Sequence, residues 1–300
     1  MSHPNQRLKN HPWLPVGSLL LAATLWGLFW YPLRLLEQAG LHGLWATLLI
    51  YCGTMPLALY YMHGRYREMR GSTGLLFLLA ISSGWCNTAF ILAMLDGNVL
   101  RVLLLFYLAP VWTVILGFLF LDERPDRQGM IVILFAFIGA LFMLWDPSIG
   151  LPLPRDHADW LALSSGMSFA ITNVCVRKVQ AVSVPVKTVM AWVGSLLIAG
   201  VLILTRDVNL AVTGTPVYLA LFFGAGVMVI MTTAVQYGVT NMPVHRSAVI
   251  LLFELVVGAI SASLLTHEKI LPQEWLGGAL VVAAAYLSVR KQVDVVEETS

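Results

Sequence analysis

Charge is what this sequence has least of. Asp, Glu, Lys and Arg make up 11% of its 300 residues, while 58% are hydrophobic; a soluble domain carries about 25% charge. A chain so composed cannot cover a soluble surface, and with a net charge of +2 no nucleic-acid partner is expected. Cysteine is scarce as well. Cys52, Cys86 and Cys175 all fall inside apolar runs and show no CxxC or His-paired spacing, which argues against a disulfide framework and a metal site. There is no HExxH, no Gly-x-Gly-Asp, no paired-aspartate motif and no Walker lysine, so neither an intramembrane enzyme nor a primary pump is expected, and no cofactor. The acidic stretch DERPDR, Asp122 to Arg127, is alternating charge in a short loop and needs no metal. A channel is disfavoured too, because no ring of charge or repeated filter motif is visible.

What remains is hydrophobic length. Ten apolar segments, 15–33, 42–62, 74–94, 100–121, 128–145, 159–177, 187–205, 217–239, 246–265 and 274–290, each reach the roughly 20 residues that cross a bilayer. They are continuous runs and not alternating decamers, so the expected class is an all-α polytopic membrane protein and not an outer-membrane barrel. The first run follows Arg7 and Lys9 in the manner of a signal peptide, but it carries Trp26, Trp30 and Tyr31 and reads as a structural helix. With the N-terminus inside, thirteen Lys and Arg fall on the inner side and five, Arg34, Arg101, Arg155, Arg206 and Lys269, on the outer. Both termini are therefore expected inside.

The chain also repeats itself. Ala89 to Val111 aligns with Ala234 to Val256 at an offset of 145, which sets Arg101 on Arg246 and Glu123 on Glu268; Leu21 to Arg34 loosely matches Ala162 to Val176 near 142. Five spans per half put the halves in opposite senses across the bilayer. The expected domains are an N-terminal segment 1–14, repeats 15–148 and 157–290, and a tail 291–300. Ten transmembrane helices as two inverted five-helix repeats is a common build for secondary transporters, with the site near the midplane between the halves.

Each half closes on a similar passage: LAPVWTVILGFLFLDER and then a helix with Gly139, FELVVGAISASLLTHEK and then a helix with Gly277 and Gly278. These passages and the five-plus-five arrangement resemble the EamA type of the drug/metabolite transporter superfamily, from about Trp13 to Arg290. Within it the sequence looks most like the bacterial aromatic amino acid exporters, a group also linked to methyl viologen efflux. That resemblance implies an inner-membrane exporter of amino acids or related metabolites, with the lipid bilayer as its surroundings. The residues leave open a monomer or a dimer, and a proton carried by Glu254 or facilitated diffusion with no coupling ion. Pro110 keeps the family's proline in the first half, whereas Leu255 stands in its place in the second, preceded by Glu254.

Glu254 is the residue least expected where it stands. It lies eight residues beyond Arg246, about 12 Å along a helix, and a charge near the bilayer centre costs roughly 2.5–3.5 kcal/mol on translocon scales. Such a carboxylate either meets an ammonium group or a proton, or serves as a buried structural bond. Its helix presents Ser247, Gly258 and Ser261 on the same side. Polar faces recur elsewhere: Ser83 and Asn87; Ser165, Ser168, Thr172 and Cys175 with Asn173 alongside; Met228, Thr232, Gln236 and Thr240. Hydroxyls and amides suit a zwitterion, and they also simply join transmembrane helices. Trp13, Trp45, Trp145, Trp160 and Trp275 belong to an aromatic belt at span ends. Deeper aromatics, Trp26, Trp30, Trp85, Tyr107, Phe169 and Tyr237, are the candidates to wall a site for a ring or an organic cation. Arg101 and Arg246 open matching spans at opposite faces as anchors or gates. Glu123 is expected to pair locally with Arg124, as Glu268 with Lys269, and Pro110 to kink its helix.

Overall fold

The computed structural model describes residues 13–97, 99–145, 154–266 and 271–298, and these hold helices and no strand. In chain order they are α1 (Trp13–Gln38), α2 (Gly43–Met62), α3 (Thr73–Asp96), α4 (Val99–Phe106), α5 (Ala109–Leu121), α6 (Arg127–Leu144), α7 (His157–Lys178), α8 (Val184–Thr205), α9 (Thr215–Phe223), α10 (Val229–Asn241), α11 (Val244–Leu251), α12 (Phe253–Thr266) and α13 (Pro272–Glu298). A single π turn, Gly224–Met228, carries α9 into α10. Short polar residues mark several ends. Asp126 and Asp156 accept the Gly129 and Asp159 amides ahead of α6 and α7, satisfying donors that a helix start leaves over. Asp122 turns left-handed (φ 54°) to end α5.

Eight helical runs are long and apolar enough to cross a bilayer: α1, α2, α3, α4 with α5, α6, α8, α9 with α10, and α11 with α12. The other two of the ten expected spans, α7 and α13, fall short on composition. For α7 the reason lies in its surroundings. Thirteen of its 22 residues are buried, among them Asp159, Ser165, Thr172 and Asn173, and a helix enclosed by others needs no apolar exterior. In α13 an apolar middle is diluted by Gln273 and Glu274 at one end and Arg290 and Lys291 at the other. Elsewhere the exterior is greasy: Leu204 is 82% exposed, Phe222 78% and Leu59 77%, a surface suited to lipid.

Packing follows the repeat. Exchanging the halves swaps α1 with α7, α2 with α8, α3 with α9–α10, α4–α5 with α11–α12, and α6 with α13. Under that exchange α3 on α7 and α8 becomes α10 on α1 and α9 on α2. Likewise α4–α5 on α7 becomes α11–α12 on α1. The α2·α8 and α6·α13 pairs map onto themselves, and all of these contacts are present.

Glycine makes the crossings possible, and it too is repeated. A β-carbon on Gly84 would overlap the Gly194 carbonyl, and one on Gly194 the Ala80 carbonyl; at the related crossing Gly53 meets Leu221 and Gly224 meets Ile50. Gly139 and Gly277 oppose one another between α6 and α13. Gly27 and Gly166, 139 residues apart, bring α1 and α7 onto the fourth spans. Small residues at helix crossings let backbones approach closely, which is how association proceeds where burial from water is no longer available.

Loops gather on two faces. On one, the Ser183 amide donates to Glu68 Oε2 (2.8 Å), Lys178 Nζ to the Phe120 carbonyl (2.9 Å) and Gln180 Nε2 to the Thr240 carbonyl (3.0 Å). This face carries Arg65, Arg67, Arg70, Arg124, Arg127, Arg177 and Arg246. On the other, Arg206 pairs with Asp96 at 3.5 Å and Trp45 Nε1 donates to the Val208 carbonyl at 2.8 Å. Helix α4 begins on the second face and its counterpart α11 on the first, so the two repeats run in opposite senses.

Candidate functional site

The site forms where two helices stop and restart. The fourth span of the first repeat is interrupted at Tyr107–Leu108, and that of the second at Leu252, the equivalent position at the offset of 145. The sequence led us to expect a kink made by Pro110. Pro110 instead occupies the first turn of α5, where its missing N–H removes no intrahelical bond. The second break has no proline at all; Leu252 donates to the Ala248 carbonyl (3.3 Å) and receives the Leu255 amide (3.1 Å), a tightened turn between α11 and α12. The second break thus forms without a proline, whereas Pro110 directly follows the first and lacks the amide that would bond the Phe106 carbonyl.

Across them lies one hydrogen bond. The Tyr107 hydroxyl, at the break of the first repeat, donates to Glu254 Oε1 in the first turn of α12 at 2.6 Å. Both residues are partly exposed. Each break is pressed by the first helix of the opposite repeat: Gly27 of α1 sits on the Glu254 carbonyl, and Gly166 of α7 on the Phe106 carbonyl. Those two helices carry the nearby candidates. On α7, Phe169 faces Phe106 at 5.9 Å, and Phe106 lies edge-on to Tyr107 at 5.2 Å and to Phe90 at 4.9 Å, an aromatic group that reaches the ring of Tyr107. Asn173, one turn beyond Phe169, is buried. On α1, Trp30 Nε1 donates to Ser261 Oγ (3.0 Å) of α12, and Trp26 lies edge-on to Phe29 at 5.2 Å.

Gln236 on α10 is buried, and its Oε1 has no hydrogen-bond partner among the described residues. Tyr237 beside it is partly exposed.

Other candidates are engaged in joining helices. Asn87 receives the Tyr51 hydroxyl (3.1 Å) and donates to the Ser83 carbonyl (2.8 Å) and Ser195 Oγ (3.3 Å), tying α3 to α2 and α8. Trp85 Nε1 donates to Ser164 Oγ at 3.1 Å and Ser82 bonds Thr172 at 2.8 Å, both between α3 and α7. The polar line on α10 is likewise used: Thr232 receives Trp192 Nε1 at 2.7 Å and Thr240 receives Lys187 Nζ at 3.1 Å.

The charged ends differ from expectation. Arg101 is no exposed anchor: its Nε meets Asp159 Oδ2 at 2.6 Å, with side chains 8% and 2% exposed. Asp159 also receives the Arg155 amide at 2.8 Å. The sequence reading passed over Asp159, although an acid so near the start of an otherwise apolar span was its signal. Glu123 does not pair with its neighbour Arg124, which instead meets Asp122. It reaches Arg177 Nε at 2.7 Å and the Val244 amide at 2.8 Å. Arg246 lies in the field of Asp126 and Glu123. Glu268 and Lys269 fall outside the described residues. Among the described residues no group of three His, Cys, Asp or Glu could hold a metal ion.

Inverted repeats with interrupted helices between them are a build common to many membrane transporters. The EamA-like transporter family matches residues 13–145 and 157–290, one match to each repeat. The chain belongs to that family. It is 25% identical over 184 residues to a Pseudomonas aeruginosa protein described as an uncharacterized transporter, an alignment spanning 58% of this chain and 57% of that one. The crystal structure of another protein superposes with a TM-score of 0.74 at 14% identity, covering 94% of this chain and 98% of the other, a likeness of fold.

Proposed function

We propose that this transporter is a secondary exporter of amino acids, the aromatic ones (Phe, Tyr, Trp) foremost, and of related small amphiphilic metabolites. It works by alternating access around a site between the two repeats. The observation that carries the reading is the Tyr107–Glu254 bond: one partner from each repeat, both at helix breaks, beside the Phe106, Phe169 and Phe90 rings. A carboxylate suits a substrate ammonium group, the rings suit an aromatic side chain, and Asn173 and Gln236 offer donors to a substrate carboxylate. The same chemistry would take an organic cation such as methyl viologen, which is the second reading; Thr or homoserine is a third, lacking the aromatic contact.

On this reading α7 and α13 also span, giving ten transmembrane helices in a bacterial inner membrane. The arginine-rich face and both termini are cytoplasmic by the charge bias, and the protein works as a monomer. Glu254 is the proton carrier if export is proton-driven. Reconstitution in liposomes tests this by comparing uptake of labelled Phe, Trp, Thr and methyl viologen. Phe and Trp are expected to lead; a preference for Thr over Phe would overturn the aromatic reading and leave the transporter intact. Glu254→Gln is expected to impair proton-driven efflux without loss of insertion, and unchanged transport with unchanged pH dependence would remove Glu254 from the mechanism.

A further inference from the structure

We propose that Glu123 is the latch that closes the pathway on the arginine-rich face. The proposal rests on the transporter reading and begins from an inequality between two pairs of helices that the repeat makes equivalent. On that face α5 and α11 pack together, so closely that a β-carbon on Gly117 would come within 2.8 Å of Val244 Cγ2. The pair related to them at the opposite face, α12 with α4, makes no comparable contact among the described residues. One end of the two fourth spans is drawn together and the other is not.

Glu123 stands at the closed end. It follows α5 in the first repeat, and its two oxygens go to different elements of the second: Oε1 to Arg177 Nε at the end of α7, and Oε2 to the Val244 amide that opens α11. Arg177 continues the junction through Nη1 to the Thr240 carbonyl at the end of α10 (2.8 Å). Four helices, α5, α7, α10 and α11, are joined through one carboxylate. Its bonds are also the kind that can open. The Arg177 and Glu123 side chains are 26% and 16% exposed, and an open groove lined by Phe120, Leu121, Lys178 and Gln180 brings water to them. A hydrated pair exchanges its partner for water at modest cost. The Arg101–Asp159 pair of the other face is shut away from water and would leave uncompensated charge if parted; it holds α4 to α7 and does not gate.

Accessibility of position 244 reads the latch directly. In protein with Cys52, Cys86 and Cys175 replaced by Ala, V244C introduces the single thiol at a residue 1% exposed, and a membrane-impermeant maleimide is applied to liposomes from either side. Glu123→Ala is expected to speed modification about tenfold from the arginine-rich face, the loss of one or two charged hydrogen bonds. Arg177→Ala acts in the same direction, and Glu123→Gln, which keeps an acceptor for the Val244 amide, falls between. Asp122→Asn, which keeps a residue tolerant of the left-handed turn and removes the charge of the exposed pair with Arg124, leaves the rate unchanged. Equal rates in Glu123→Ala and its parent, or equal acceleration by Asp122→Asn, overturn the proposal. Should Glu123→Ala fail to fold, unchanged rates in Arg177→Ala and Glu123→Gln overturn it equally. None of these outcomes depends on substrate uptake, which tests the transporter reading separately.

Discussion

The two fourth spans occupy equivalent places, and only one of them carries a carboxylate. At the offset of 145, Glu254 stands opposite Ala109, and Tyr107 opposite Leu252. Both spans break at the same point, both are pressed there by a glycine of the opposite repeat, and both restart within two residues. The breaks and the crossings are common to both halves and constitute the scaffold. The hydroxyl and the carboxylate belong to one half each and meet between them. An inverted repeat can build a symmetric frame, but a substrate with two chemically different ends needs an asymmetric site within it.

That division can be attacked from the scaffold side first, where the effect is largest. Gly194→Val places side-chain atoms on the Ala80 backbone and should cost about 3 kcal/mol or more, seen as loss of monodisperse protein or a large fall in Tm in detergent. Gly53→Val should do the same at the related crossing. Gly258→Ala, whose β-carbon would lie 3.7 Å from the Gly27 carbonyl, should fold normally; if all three behave alike, close approach is not what these glycines provide.

The site side comes next. Glu254→Ala should fold and lose roughly a hundredfold in transport, near the upper end of the roughly 1.5–3 kcal/mol that a hydrogen bond to a charged group supplies. Tyr107→Phe removes one hydrogen bond to that carboxylate and should cost about tenfold. Equal losses from the two would mean that the pair serves packing and not binding, and Tm measured alongside transport separates the cases. The smallest effect is expected from Pro110→Ala. Because Pro110 sits in a helix first turn, stability should move by no more than about 0.5 kcal/mol and the break should persist. A larger gain in Tm would show that proline, and not packing, holds the first break open.

Much of this was legible in the sequence, for definable reasons. Hydrophobic length and the offset of 145 gave the class and the two halves, and a carboxylate inside an apolar run pointed at Glu254. The Tyr107–Glu254 bond was not legible, since its partners are 147 residues apart and a tyrosine in an apolar run reads first as packing. The break at Leu252 left no mark because neither proline nor glycine causes it. Glu123 was assigned to its neighbour by proximity in sequence, yet two helices converge to offer Arg177 and a free helix-start amide. Asn87 shows the opposite case: an amide suited to a ligand is hydrogen-bonded to Tyr51, Ser83 and Ser195. The recurrence of glycine at 27 and 166, 53 and 194, 84 and 224, and 139 and 277 was present in the sequence, but its spacing shows as a signal only once the crossings are known.

Those glycines have a consequence for motion. Where Gly84 meets the Gly194 carbonyl, and where Gly53 and Gly224 meet the Leu221 and Ile50 carbonyls, backbone lies on backbone. Interlocked side chains resist rotation, because turning one helix against another means changing rotamers on both. Bare backbone presents fewer rotamers to unlock, so helix packing opposes rotation least at such a crossing. The repeat sets two such crossings in related places, one on each side of the pair of halves.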